Sequence, residues 1–288
     1  MFRRTFSILN KPPPITYSLS SWFRIPSEMS SYEVLSRSSC FPITLPPSSP
    51  STPSSTVLIT TQHVVAPQNY PQYYPDAWIS HVQPRHIRCY AEVRNECGDI
   101  LHKCELQDPL HHPTLDLTVL SIGEGGLGKW GGVYDLCEGL RGMSVTCHGH
   151  TLVDDDGSDV DVVVGDDSRV PLPLSVPGRL LVSTAKQNFA STDAVLTVGM
   201  CGGPIVSDIT GGVVGMVEGV VPEGASPGDE LIGAAAYVGV EGIREGIDMW
   251  RKSSISLASH YHQAIGSHVL DLILIHDLNE YILTSKPT

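Results

Sequence analysis

No run of 18 or more apolar residues occurs in the 288-residue chain, so no membrane-spanning helix is expected. Basic residues are scarce. Only 18 Lys and Arg stand against 31 Asp and Glu, for a net charge of −13. Four of the 18 (Arg3, Arg4, Lys11 and Arg24) fall in the first 27 residues, so the rest of the chain is more acidic still. Phosphate contacts need clustered Lys and Arg, and a nucleic-acid partner is therefore not expected. The seven cysteines include no CxxC pair. Cys89, Cys97, Cys104, Cys137 and Cys147, with His102, His148 and His150 nearby, are too irregularly spaced for a closed tetrahedral zinc site. They read as cysteines packed like small apolar residues, and no metal or other cofactor is expected. A secretory apolar core is also missing. With an odd cysteine count, that points to reduced thiols inside the cell. No internal repeat stands out.

What the chain does have is 41% hydrophobic residues, enough for a sizeable core, together with 27 glycines and 22 prolines. That mixture suits many short strands better than a helical bundle. Strand candidates are "SCFPIT", "TVLITTQHVV", "RHIRCYAEVRN", "ILHKCELQD", "LDLTVLSIG", "LRGMSVTCHGHTLV", "DVDVVVG", "RLLVSTA", "GPIVSD", "GGVVGMVEGVV" and "IGAAAYVGV". Gly and Asp punctuate them about every ten residues, the rhythm of a sandwich or barrel. A turn near Gly98 joins two of them as a hairpin. "LPPSSPSTPSST" over 45–56 reads as an exposed loop. The seven aspartates between 154 and 167 read as a solvated hairpin loop, since their spacing does not fit the EF-hand calcium loop. After about residue 240 apolar residues recur at three- and four-residue spacings, as in helices. The later of these places Leu270, Leu272, Ile273, Ile275, Leu278 and Ile282 on or near one side, for packing onto the body or for an oligomer or partner interface.

Residues 1–27 are basic, rich in Ser and free of acids until Glu28. That is the composition of a mitochondrial presequence. The expected organisation is a disordered presequence over 1–27, a folded domain over 28–245 and a helical extension over 246–288. The expected location is mitochondrial, or otherwise cytoplasmic.

Three segments carry residue types able to do chemistry. "LITTQHVVAP" holds His63, "HPTLDLTVL" holds Asp116 and "GMCGGPIV" holds Cys201. Each residue alone is unremarkable: a polar strand end, a strand-edge aspartate, a small apolar thiol. Their order in the chain, His, Asp, nucleophile, is that of the chymotrypsin constellation. Together the three segments resemble the trypsin-like peptidase superfamily. "STDAVLTVGMCGGPIV" narrows the likeness to the HtrA/Deg proteases through Thr192, Asp193, Ala194, Gly199, Gly202, Gly203 and Pro204. "GLRGMSVTCHGH" resembles that family's turn and strand between carboxylate and nucleophile. The likeness covers roughly residues 30 to 245.

The resemblance implies an all-β fold of two six-stranded antiparallel barrels, followed here by a C-terminal helical segment. It implies a site between the barrels. Cys201 stands as nucleophile where the family has serine, as it does in picornavirus-type cysteine proteases, which have a similar Gly-x-Cys-Gly-Gly loop. His63 stands as general base and acid, and Asp116 orients the imidazole. The backbone N–H groups of Gly199 and Cys201 stand as the oxyanion hole, where one donor is typically worth about 2.7–4 kcal/mol. Val195 and Val217 stand on the substrate-binding wall, which suits a small or medium apolar residue before the scissile bond. There are departures. Met200 replaces the aspartate of digestive proteases, and Thr197-Val198 replaces a common Asn-Pro. The residues after 245 are too few for a PDZ module.

Two functions are compatible with this pattern. One is an endopeptidase cleaving polypeptide through a thioacyl-enzyme. The other is a non-catalytic, protease-like scaffold that binds peptide or a partner protein. A homo-oligomer fits either.

Overall fold

The computed structural model describes residues 15–46, 55–73, 77–123, 126–127, 132–153, 169–183, 187–222 and 231–254. Its strands are β1 (Tyr17–Phe23), β2 (Glu33–Leu45), β3 (Ser55–Thr60), β4 (Ile87–Arg94), β5 (Ile100–His111) and β6 (Thr118–Ile122), then β7 (Ser144–Val153), β8 (Val170–Ser183), β9 (Asn188–Thr192), β10 (Pro204–Ser207), β11 (Val213–Val220) and β12 (Ala235–Gly239). They close into two antiparallel barrels. The neighbour order in the first is β1-β2-β3-β6-β5-β4. In the second it is β7-β8-β9-β12-β11-β10, the same path followed again. Closure gives each of these strands a neighbour on both sides over at least part of its length. The chain thus carries a structural repeat that its sequence does not display. The two barrels have the architecture of a trypsin-like double barrel.

Each barrel has its own core. Tyr17, Leu19, Leu58, Ala91, Cys104 and Leu120 fill the first. Val145, Cys147, Leu180, Met200, Ile205 and Val217 fill the second. The cysteines at 40, 89, 104 and 147 are buried free thiols, whereas Cys97, also expected to pack as an apolar residue, is exposed in the β4–β5 turn and Cys137 is only half-buried. Burial pushes Cys89 and Cys104 up to about 11 and Cys147 up to about 12, and raises Cys40 as well.

One boundary differs from the expected organisation. β1 lies inside the stretch 1–27 that was assigned to a disordered presequence. Tyr17 and Leu19 are fully buried, and β1 pairs with β2 on one side and β4 on the other. Without it the first barrel could not close. Its sequence, YSLSSWF, has serines on the positions between Tyr17, Leu19 and Ser21, and they are buried too. Ser20 donates to Glu92, a buried carboxylate paired with Arg94 and Lys103. A strand with two buried faces and small polar residues on one of them reads in composition like a tail. The fold therefore includes Tyr17, with Ile15 packed against the first core, and the presequence expectation is confined to residues before 15, which lie outside the described ones.

Two further elements were not expected. β9 is short. The first half of β8 carries Pro171, Pro173 and Pro177, which argue against a strand in sequence. It is tolerated because β8 pairs with β7 along Val170–Arg179 but meets β9 only from Gly178 onward. The prolines therefore sit where one side of the strand has no ladder to feed. The "HVV" end of "TVLITTQHVV" is helical rather than extended, forming the turn α1 (Gln62–Val65). "DVDVVVG", the aspartate-rich run, most of the 45–56 loop and the apolar helix pattern beyond 254 lie outside the described residues.

After β12 the chain enters helix α2, residues 240–254. Its first turns bury Val240 and Ile243. Gly242 and Gly246, one turn apart, let the segment around Asp116 come close. A Cβ on Gly242 would meet Leu115 Cδ1 at 2.7 Å, and one on Gly246 would meet Leu117 Cδ2 at 2.6 Å. The chain divides into two compact units after Gly246, and both barrels belong to the first. In the second unit, Ser254 Oγ donates to the Trp250 carbonyl within the helix. No helix among the described residues is long and apolar enough to cross a membrane.

Candidate functional site

His63 is delivered by α1, which leaves the end of the buried strand β3. The turn is anchored by Val64 and Val65, both buried, and by Ser21 Oγ donating to the Val64 carbonyl at 2.6 Å. Asp116 sits in the tight connection between β5 and β6. Buried His112 shapes that connection, because its Nδ1 accepts from the N–H groups of Thr114 and Leu115.

One carboxylate fixes His63 twice. The His63 backbone N–H donates to Asp116 Oδ1 at 2.9 Å, and the ring Nδ1–H donates to Oδ2 at 2.5 Å. With Nδ1 committed, the hydrogen bond that His63 shares with Cys201 falls to Nε2. The structure thus brings together His63 and Asp116 from the first barrel and Cys201 from the second. The side chains of His63 and Asp116 are only 16% and 10% exposed. Burial pulls the imidazole pKa down. The bonds to Asp116 and Cys201 and the charges of both groups outweigh it, and the pKa is raised to about 10. His63 therefore holds its second proton at neutral pH.

The loop that carries Cys201 is a 3-10 turn, Val198–Met200, with the Met200 N–H donating to the Thr197 carbonyl. Met200 is fully buried and pins the turn into the second core. Gly202 follows with φ +79, and a Cβ there would meet Ser39 O at 2.2 Å, so no other residue fits without moving the strand beneath.

Strand β2 of the first barrel holds this loop from below. The Cys201 carbonyl accepts from the Ser39 N–H at 2.9 Å and from Ser38 Oγ. Ser39 Oγ donates to the Gly199 carbonyl at 2.8 Å and lies 3.0 Å from His150 Nδ1. The serine has one proton and gives it to Gly199, so His150 is the donor in the second bond and carries its hydrogen on Nδ1. His150 is 1% exposed. Burial, helped by the charge of Arg94, lowers its pKa to about 3, so it is a neutral spacer under the loop.

The expected substrate wall divides. Val195 is 72% exposed and free to meet a ligand, whereas Val217 is 1% exposed inside the second core. The open position on that strand belongs to its neighbour. Glu218 is the extra residue of a β-bulge: Val217 pairs with Tyr237 and Gly219 with Ala236, and Glu218 has no ladder partner. Its charge is felt at Asp116, His63, Tyr70 and Tyr73. Gln187 Nε2 donates to one of its oxygens at 2.5 Å. Burial, then the Asp116 charge, raise its pKa against the opposing pull of Gln187 and His63.

Tyr70 and Tyr73 stack on each other, with centroids 5.9 Å apart and planes 4° from parallel. Both present edge contacts to the His63 ring, at 6.0 and 5.4 Å. The Tyr70 OH donates to Gln62 Oε1 at 3.1 Å, and the ring lies close enough to Asp116 for the carboxylate charge to raise its pKa further after burial. Glu218, the two tyrosines and Ser39 were not singled out in sequence, and His150 was named only beside the cysteines weighed for zinc. The "YPQYY" run following the histidine segment is the one local signal that could have found the aromatic pair.

No protein-family model and no characterised protein sequence matches the chain. Among the described residues no group of three or more His, Cys, Asp or Glu converges to hold a metal ion.

Proposed function

We propose that this protein is an endopeptidase that cleaves polypeptide through a thioacyl-enzyme, with Cys201 as nucleophile, His63 as acid and base, and Asp116 as its orienting partner. The observation that carries this reading is that His63 bonds Asp116 through Nδ1 while hydrogen-bonding Cys201 from its other face. Three residues from two separate barrels share one imidazole in the order that nucleophilic catalysis needs.

The chemistry follows from that arrangement. The Cys201 sulfur attacks the substrate carbonyl as thiolate, and the carbonyl oxygen takes up the negative charge. The backbone N–H groups of Gly199 and Cys201 are the assigned donors to that oxygen. His63 gives its Nε2 proton to the leaving amine as the C–N bond breaks, and a thioester remains on Cys201. Water then gives a proton to His63 and its oxygen to the carbonyl carbon, and collapse releases the acid and restores the thiolate–imidazolium pair. Asp116 keeps the ring in the required tautomer through both steps.

The kinship with HtrA-like proteases stands on the same motifs, and an organellar location stands on the composition of the first residues. The test is the rate of Cys201 alkylation by iodoacetamide against pH, mapped by mass spectrometry on the full chain, with Cys201→Ala and His63→Ala as controls. Cys201 is expected to react much faster than a free thiol at neutral pH, and to lose that advantage in His63→Ala. A Cys201 that is inert, or that reacts no faster than a free thiol, would overturn the peptidase reading in favour of a binding scaffold. Four thiols are buried, and exposed Cys97 and half-buried Cys137, resolved separately by mass mapping, serve as reference thiols in the same chain.

A further inference from the structure

We infer that Glu218 and the Tyr70–Tyr73 stack form a subsite beside His63 for a basic side chain, lysine or arginine, of a bound polypeptide. This deepens the peptidase reading and rests on it for the identity of the ligand as polypeptide.

Geometry is the first ground. β11 is buried on both faces from Val213 to Val217. The bulge follows directly, and Glu218, its unpaired residue, is the first half-buried side chain on the strand. Its carboxylate reaches the same neighbourhood as His63, Asp116 and both tyrosines. A bulge that turns a partly buried acid towards another acid costs stability unless something cationic completes it. Among the described residues the positive charge that Glu218 feels is that of His63, which Asp116 already holds through two hydrogen bonds.

The second ground is the aromatic pair. Stacked tyrosines present a π-face, which attracts ammonium and guanidinium groups. Tyr73 is 61% exposed, so its ring is open to a ligand. Gln187 occupies one lone pair of the Glu218 carboxylate and holds its orientation, and a carboxylate has further lone pairs for a cation. The third ground is long-range: a protein of net charge −13 draws basic segments towards it. A carboxylate and a π-face converging beside a reactive pair form a cation receptor, whereas a small apolar side chain would leave the Glu218 charge uncompensated.

Equilibrium binding tests this without turnover. Fluorescent peptides in which a single Lys is walked through an alanine-rich sequence, and matched peptides with norleucine at each position, are titrated against full-length Cys201→Ala by fluorescence polarisation. At one position Lys should bind about tenfold tighter than norleucine, as expected for a partly desolvated ion pair with a cation–π contribution. Adding Glu218→Gln should collapse that preference to within about twofold, and Glu218→Lys should reverse it in favour of a Glu-containing peptide. Tyr73→Leu should reduce it. Lys and norleucine peptides binding equally at every position would overturn the subsite. So would a Lys preference that survives Glu218→Gln. Because Cys201→Ala has no nucleophile, the result is independent of the iodoacetamide profile. A Lys preference lost with Glu218, in a protein whose Cys201 is inert, would support the subsite while removing the peptidase reading.

Discussion

A chain that begins at Glu28 should fail to build its first barrel. The truncation removes β1, and with it Tyr17, Leu19 and Phe23, which are 0%, 0% and 5% exposed. Burying a side chain of this size is worth about 2 kcal/mol, so the three together account for roughly 6 kcal/mol. The loss of two hydrogen-bonded ladders, to β2 and to β4, comes in addition. Total stabilities of folded domains are only about 5–15 kcal/mol, so the deficit rivals the whole. Hydrogen exchange read by mass spectrometry locates the damage. Peptides from β2 and β4 should exchange rapidly in the truncated chain, while those from β7 and β8 keep more of their protection. The point substitution Leu19→Ala gives a graded version. It should cost about 3 kcal/mol. For a chain of this size that lowers Tm by roughly 6–12 °C. If residues 28–288 retain full protection in β2 and β4, β1 does not belong to the barrel and the energetic reasoning fails. The same logic constrains maturation: any folded mature form should retain Tyr17 when its N-terminus is sequenced.

Two further outcomes follow from the floor of the site. His150 is buried and neutral, with a pKa lowered to about 3, whereas the unfolded chain binds a proton there near pH 6.5. Between those values the unfolded state holds more protons, so stability falls as pH falls, by about 1.4 kcal/mol per pH unit from this group. His150→Asn, which keeps an N–H for Ser39, should make the acid limb of a urea-unfolding series shallower by one proton between pH 6 and pH 4. An unchanged slope would show that His150 titrates normally. Gly202→Ala forces a methyl group against Ser39 O in a left-handed backbone. It should displace the loop and abolish the His63-dependent component of Cys201 alkylation, with both barrels still protected from exchange; a wild-type profile would contradict the close approach.

Much of this was legible in sequence, and the part that was not has a common physical origin. His63, Asp116 and Cys201 could be picked out because each sits in a short local segment and the three follow a known order. The strands with clear apolar alternation, such as β4 and β5, were equally readable. β1 was hidden because buried serines on one face, within a basic and acid-free stretch, mimic a tail. The first half of β8 was hidden because proline argues against a strand until one knows that one side has no ladder. Glu218 was missed because the family resemblance put Val217 on the substrate wall, whereas Val217 is buried in the second core and Glu218, unpaired at the bulge, is the half-buried neighbour. Ser39 and His150 act on a loop 160 and 49 residues away from them. Only closure of both barrels brings them there, and no local window contains that information.

The supports of the site are exchanged between its halves. Strand β2, from the first barrel, holds the carbonyls of Gly199 and Cys201, which belong to the second. Helix α2, which follows the last strand of the second barrel, packs its Gly242 and Gly246 against Leu115 and Leu117, the residues either side of Asp116 in the first. Each half therefore finishes the other's reactive segment. In a folding experiment the pairing of His63 with Cys201 should be the last feature to appear, after both barrels are protected, because neither alone contains a completed part. A nascent or half-unfolded chain then carries a cysteine with no imidazole beside it, and the assembled pair is confined to molecules that have passed the final docking step.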